Sequence, residues 1–268
     1  MPELPEVETI RGQLQITLLG KKIIKIEVRR DKSWRGDINQ IIGREITKIN
    51  RVGKYLFFHT DTEVGLIGHL KMTGRMIVEN GEFYETAKHT RVVITFDNDK
   101  KMYFWDVRVF GYLEVTDDSK LAQERQAKRL GKDPWEITTV EFEKLCNKYK
   151  RPVKNIILDQ ALIAGVGNIY ANDALWKAKI DPRKPGNEMT KKQCSALLLS
   201  LQQVMERGLV TGGASDNSYV NAYNQKGKYQ DEFLVYKKIK QPCLRCGNAL
   251  KRIVVGGRGS FICEKCQK

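Results

Sequence analysis

Four of the six cysteines fall into two C-x2-C pairs, Cys243 with Cys246 and Cys263 with Cys266, separated by 16 residues. Each pair makes a tight knuckle offering two thiolates, and the spacing suits a four-sulfur zinc ribbon. Such a site has no open coordination position, so the one Zn2+ implied is structural. The competing reading, two disulfides or inert thiols, fits the spacing poorly. Apolar residues at 253–255 and 260–262 predict a hairpin around Gly256-Gly257-Arg258-Gly259, with Arg258 at its tip. Glycines there let a phosphate approach the backbone closely. At the other end of the chain, Pro2-Glu3-Leu4-Pro5-Glu6-Val7-Glu8 places prolines and carboxylates together. Their ordinary explanation is a helix N-terminus, which accommodates a missing amide and attracts negative charge.

The elements that must carry these groups change character along the chain. Residues 22–29, 55–59, 64–70, 91–96, 101–105 and 111–115 are short, rich in β-branched and aromatic side chains, and separated by Gly, Asn and Asp turns. They predict a β-sandwich or barrel. Before them, Val7, Ile10, Leu14 and Leu18 recur at helical spacing behind Pro5. The stretch 117–134 is highly charged and predicts a linker or hinge. Beyond it the period is helical: Phe142, Leu145, Cys146 and Tyr149 form one stripe, and 190–207 opens on a Thr-x-x-Gln capping box. Segments 151–162 and 167–178 read as helices joined by a loop at 163–166. A Gly-, Ser- and Asn-rich stretch, 211–228, leads to the cysteines. The expected class is α+β, with an N-terminal sandwich domain (1–116), a helical domain (135–230) and a zinc ribbon (237–268).

The 268 residues include 47 Lys and Arg against 32 Asp and Glu, a formal charge of +15. An excess of this size implies a polyanionic partner: nucleic acid, or less often an anionic membrane or acidic protein. Residues 237–268 alone hold nine basic residues and one acidic, Glu264. No apolar run is long enough to span a membrane, and the start lacks a secretory signal, so the expectation is a cytoplasmic protein of the cytosol or nucleoid.

Read end to end, the sequence resembles the bacterial formamidopyrimidine-DNA glycosylases. The resemblance rests on ordered matches: MPELPEVET at the start, GKY around Lys54, GHLKMTGR at 68–75, KHTR at 88–91, DVRVFG at 106–111, VKNIILDQALIAGVGNIYANDALW at 153–176, GGASDNSYVN at 212–221, and GGRGSFICEKCQ in the tail. It implies that Pro2 is the nucleophile once Met1 is removed and Glu3 the acid beside it. Lys54 matches the second catalytic cation and Arg258 the residue assigned to δ-elimination. A solvated lysine at a strand start is the bland alternative for Lys54. Met72, Arg108 and Phe110 match the three residues that fill the void left by an extruded nucleotide, where Met and Phe wedge between bases and Arg bonds the orphaned partner. For Met72 and Phe110 the alternative is a core position on a strand. Gly165-Val166-Gly167-Asn168 matches the family's helix-two-turns-helix grip on DNA backbone, with Asn168 as helix cap and phosphate donor and Lys154 shortly before it. His89 and Arg151 match DNA contacts by motif position, and His59 is expected to have no role.

Two departures accompany the matches. In the loop that covers an extruded base, the family's Arg-Asp-Tyr element aligns with Asn217-Ser218-Tyr219, and Asp216, after Ser215, replaces an apolar residue. The usual Asp-Pro-Arg is Asp106-Val107-Arg108, which loosens a turn but keeps the Arg. The implied function is a bifunctional DNA glycosylase and AP lyase of base excision repair, acting on 8-oxoguanine and formamidopyrimidines in double-stranded damaged DNA, as a monomer without membrane association. The alternatives are an endonuclease VIII-like enzyme for oxidised pyrimidines and a catalytically silent zinc-ribbon DNA-binding protein.

Overall fold

The computed structural model describes residues 1–79, 82–117 and 129–268. Most of the expected linker, 118–128, lies outside the described residues. The chain forms two compact units: one from Met1–Lys128 with Thr211–Gln230, the other from Arg129–Val210 with Asp231–Lys268. The span 135–230 expected to be one helical domain therefore divides between them, and 129–134 belongs to the second.

The first unit begins with helix α1 (Leu4–Leu18). Glu3 caps it, Pro5 lies in its first turn, and Val7, Ile10, Leu14 and Leu18 are its buried stripe. Strands β1 (Ile23–Val28), β2 (Trp34–Arg35), β3 (Ile46–Val52), β4 (Tyr55–Thr60), β5 (Val64–His69) and β6 (Arg75–Glu79) precede a short helix α2 (Glu82–Thr86). Strands β7 (Thr90–Phe96), β8 (Lys101–Trp105) and β9 (Tyr112–Asp117) follow. They make two sheets, ordered β1-β7-β8-β6 and β2-β9-β5-β4-β3; every pairing is antiparallel except β2 with β9. Between them lies a core that includes Ile49, Phe58, Leu66, Met76, Ile94 and Phe104 and takes in the α1 stripe. Burying each such side chain contributes roughly 1.5–3 kcal/mol. Tyr219 and Ala222 of the returning segment belong to the same core.

Strands β2, β3 and β6 were not among the expected ones. A register shift between Ile46 and Lys48 breaks the alternation of β3. In β6, Met76, Ile77 and Val78 are all buried, so no polar face marks it.

The second unit is helical: α3 (Thr139–Asn147), α4 (Val153–Ile157), α5 (Asn168–Lys177) and α6 (Lys191–Val210). Thr138 and Glu141 form a capping box on α3. Thr190 and Gln193 form the expected one on α6, with reciprocal bonds of 3.2 and 3.1 Å. Gly208 allows α6 to approach α5, since a Cβ there would lie 2.4 Å from the Tyr170 hydroxyl. The helix expected over 151–162 is only one turn long. Asp159 ends it by bonding the Ala161 amide through its side chain and the Leu162 and Ile163 amides through its carbonyl. The tail carries β10 (Lys251–Val255) and β11 (Arg258–Ile262), joined by Gly256-Gly257, both with positive φ as a two-residue hairpin turn requires. Arg258 is thus the first residue of β11, opposite Val255, and not at the tip.

Candidate active site and nucleic-acid interface

In the first unit, Pro2 and Glu3 are buried at the N-terminal end of α1. The Glu3 amide donates to Glu6 Oε2 at 2.7 Å, and Glu6 Oε1 accepts the Ala214 amide, also at 2.7 Å. One buried carboxylate therefore joins the start of the chain to the loop containing Ser215, Asp216, Asn217 and Tyr219. Gly213 permits this approach: its φ is +87°, and a Cβ would lie 2.8 Å from Glu6 Cγ. Tyr219 turns inward and donates to the Gly212 and Glu6 carbonyls at 3.1 and 3.4 Å. Burial, reinforced by the Glu6 charge, raises its phenol well above the ordinary value, so it stays a donor. Ser215 Oγ donates to the Tyr219 carbonyl and accepts the Gly227 amide, both at 2.9 Å. Asp216 accepts from the exposed Asn217 side chain at 3.0 Å.

Lys54 occupies the second position of the two-residue turn between β3 and β4, behind Gly53 at φ +57°. It is buried, unlike the solvated lysine of the bland reading. Arg51 fixes this turn, bonding the Gly53 carbonyl at 3.0 Å and Glu8 of α1 at 2.8 Å. Neither Glu8 nor Arg51 was singled out from sequence, because an i,i+43 ion pair leaves no local signal.

Met72 lies in the turn after β5 and Phe110 in the loop before β9, 39% and 54% exposed. These values are not those of core side chains. The exposed Arg108 guanidinium sits 4.7 Å from the Phe110 ring. Beside the Met72 turn, His69 accepts the Lys71 amide on Nδ1 at 2.9 Å, which leaves Nε2 as the protonated nitrogen of the neutral ring. Tyr55 packs edge-on against it and Tyr112 stacks on it, while the Arg35 guanidinium lies 3.7 Å over Tyr112. Burial, followed by the charges of Tyr55 and Glu114, pushes the Tyr112 phenol up to about 12. Sequence reasoning did not single out His69 or Arg35; only the former's place in GHLKMTGR marked it. His89 lies half-buried before β7, 3.1 Å from Arg91 and edge-on to Trp105, and His59 pairs with Asn50 on β3.

In the second unit, two expected DNA-contact residues, Lys154 and Asn168, bond to β11. Lys154 of α4 is fully buried, its ammonium donating to the Gly259 carbonyl at 3.0 Å and Ser260 Oγ at 2.7 Å. Asn168 is not the helix cap, which is Gly167; its side-chain Nδ2 donates to the same Gly259 carbonyl at 3.2 Å. Arg258 is exposed on a cavity of about 400 Å³ also lined by Arg151, Asn155 and Gly256. Arg151 is paired with Asp159 at 2.7 Å.

The four cysteine sulfurs lie within 4.8 Å of one another, with Cys243–Cys266 at 3.9 Å and Cys246–Cys263 at 3.4 Å. A tetrahedron of Zn–S bonds near 2.3 Å has sulfur edges of about 3.8 Å, so the set fits zinc. The Trp176 indole donates to Cys243 Sγ at 3.4 Å. Burial opposes ionisation of Cys243, yet this bond and the Arg245 and Cys246 amides outweigh it and hold the thiol below its ordinary value. Gln267 completes the knuckle, accepting the Cys263 amide and donating to the Ile180 carbonyl.

Three family models match in order: the formamidopyrimidine-DNA glycosylase N-terminal domain over 1–113, its H2TH domain over 130–219, and the zinc finger found in FPG and IleRS over 240–268. The chain belongs to the formamidopyrimidine-DNA glycosylase family. It is 37% identical over its full length to the formamidopyrimidine-DNA glycosylase of Ligilactobacillus salivarius, covering 99% of that protein, and 36% identical to the full-length Listeria monocytogenes enzyme. A Lactococcus lactis FPG variant in complex with Fapy-dG-containing DNA superposes with TM-score 0.92 at 33% identity, each chain fully covered. The MutM (FPG) protein of Thermus thermophilus gives 0.89 at 34% identity over 99% of this chain and 98% of that one. As a member of this glycosylase/AP lyase family, the chain is a DNA-repair enzyme with one structural zinc. No helix among the described residues is long and apolar enough to cross a membrane.

Proposed function

We propose that the protein removes oxidised purines, 8-oxoguanine and formamidopyrimidines, from double-stranded DNA and then cuts the strand by β,δ-elimination. Support comes from the family, from the Fapy-dG DNA in the complexes of its Lactococcus lactis relative, and from Pro2 and Glu3 beside the Ala214 loop. That last arrangement carries the reading.

Removal of Met1 makes Pro2 a secondary amine. An α-amino group titrates near pH 8, against about 10.4 for Lys, so a useful neutral fraction exists at neutral pH. The nitrogen attacks C1′, and the glycosidic electrons leave with the base, which takes up a proton. Opening of the C1′–O4′ bond, with a proton from Glu3 to O4′, gives an iminium. Its positive charge acidifies the C2′ proton; loss of that proton expels the 3′ phosphate, and a second elimination expels the 5′ phosphate. Lys54 assists the first elimination and Arg258 the second. Water then releases the sugar fragment and restores the amine. Met72, Arg108 and Phe110 hold the gap in the duplex, while Arg151, Lys154, Asn168 and His89 serve the DNA backbone; Lys154 and Asn168 do so by fixing the strand that begins at Arg258. Zinc supports the ribbon and supplies no step. The enzyme works as a monomer wherever the cell keeps its DNA.

The test is borohydride trapping with untagged, Met1-processed protein and a duplex containing 8-oxoguanine opposite C. A covalent protein–DNA adduct is expected, and Pro2→Gly should suppress strand cleavage far more than DNA binding. Absence of an adduct from the wild type refutes the Pro2 mechanism. Faster cutting of an oxidised-pyrimidine duplex would instead favour the endonuclease VIII-like reading.

A further inference from the structure

Met72 stands on one loop and Arg108 and Phe110 on another, 36 and 38 residues away in sequence, and two exposed loops would ordinarily move independently. Between them lies Asp106, whose side chain is completely buried. Its Oδ1 accepts the Thr73 hydroxyl and the Arg108 amide, the latter at 3.1 Å, while Oδ2 accepts the Phe110 amide at 2.9 Å and the Gly111 amide at 2.8 Å. Thr73, next to Met72, also accepts the Arg108 amide on its hydroxyl at 3.2 Å. The Asp106 backbone is itself fixed, its amide bonded to the His89 carbonyl and its carbonyl to Arg91.

We infer that Asp106 and Thr73 are positioning residues that lock the two loops into one preformed wedge for the space an extruded nucleotide leaves. The inference rests on the proposed function. Three features of the loops agree with it. Val109, between Arg108 and Phe110, holds φ +55°, a conformation strongly disfavoured for a β-branched side chain and kept only where neighbours over-determine it. Asp106 does so by bonding the amides on either side. Gly111 has room for no side chain, because a Cβ would lie 3.0 and 3.1 Å from the His69 and Leu70 carbonyls at the base of the Met72 turn. Finally, Val107 stands where the family usually has proline. The carboxylate already constrains this turn, so the chain does without the ring's fixed φ. A wedge fixed before DNA arrives meets no ordering cost when the base leaves the stack.

The experiment compares Thr73→Val, Thr73→Ser and Asp106→Asn in the full-length, zinc-loaded protein. Two rates are measured under single turnover: excision of 8-oxoguanine from a duplex, which needs the wedge, and cleavage of a preformed abasic site in single-stranded DNA, which does not. Thr73→Val is nearly isosteric, so it tests the clamp even if Asp106→Asn fails to fold. It should slow excision by about tenfold or more while single-strand cleavage stays within about twofold, and Thr73→Ser should restore excision. A 2-aminopurine base beside a tetrahydrofuran site in a duplex gives a second readout without chemistry: its fluorescence change on binding should shrink in Thr73→Val and return in Thr73→Ser. Equal loss of both rates, unchanged excision, or an unchanged fluorescence amplitude overturns the inference. If the wild type leaves 8-oxoguanine untouched, the functional reading fails instead, and the fluorescence measurement still decides the clamp.

Discussion

Asn172→Ala should loosen the strand that begins at Arg258, and the structure sets the size of the effect. Asn172 on α5 is buried; its Oδ1 accepts the Phe261 amide at 2.8 Å, and its Nδ2 donates to the Asn168 carbonyl at 2.6 Å and reaches the Gly259 carbonyl at 3.4 Å. The two-residue turn at Gly256-Gly257 makes Val255 and Arg258 a hydrogen-bonded pair, so Gly259 and Phe261 fall at alternate positions whose backbone groups point away from β10. Truncation leaves the Gly259 carbonyl its bonds from Lys154 and Asn168, but it orphans the Phe261 amide. A buried donor without a partner costs about 1–3 kcal/mol. At about 2 kcal/mol, local opening becomes roughly 30-fold more frequent. Hydrogen–deuterium exchange at the Phe261 amide of the zinc-loaded protein reads this directly, and cleavage of abasic DNA should yield a smaller share of δ-product relative to β-product. Exchange within about threefold of wild type would refute the reasoning, because the bond would then hold nothing that solvent does not replace.

Two further outcomes follow from the ribbon and from the α3 cap. Chelation should unfold the tail and abolish cleavage of a damaged duplex, with Zn2+ restoring it, because a four-thiolate site typically contributes about 10–16 kcal/mol of binding energy to folding; activity in fully stripped protein, with zinc loss verified by elemental analysis, would contradict this. Glu141, bonded first to Lys132 and then to the Thr138 amide and hydroxyl, is held at about 2 against an ordinary 4.5, so its stabilisation is present above pH 4.5 and lost as pH falls towards 2. Glu141→Gln should flatten that part of the curve of urea midpoint against pH, and an unaltered curve would show that the bonds are absent in solution.

What was legible in the sequence was chiefly what local spacing records. The two C-x2-C pairs, the Thr190–Gln193 box and the α1 stripe each repeat at intervals that backbone geometry dictates, and the structure contains all three. The order of short motifs identified the family, but it said nothing of how those residues meet. Lys154 reads as a surface cation, because lysine is rarely buried; the Gly259 carbonyl and the Ser260 hydroxyl, 105 and 106 residues on, accept its ammonium and explain its burial. Asn168 sits where a cap belongs, yet its partner is again that carbonyl. Likewise Glu6, Glu8, Arg51 and Asp106 act through partners far away in sequence or through several amides at once, and neither arrangement has a period. Strand β6 was hidden for a related reason: buried on both faces, it has no alternation to detect.

The segment Thr211–Gln230 belongs to the first unit although residues of the second flank it on both sides. Synthesis proceeds from the N-terminus, so the sandwich emerges from the ribosome long before Tyr219 and Ala222, which its own core requires. Until then the first turn of α1 lacks the Ala214 amide for Glu6, and the surroundings of Pro2 stay unfinished. The helical half must be made before the first half is complete. An order of assembly is thereby written into the chain: Pro2 is translated early, and its surroundings are among the last parts to close.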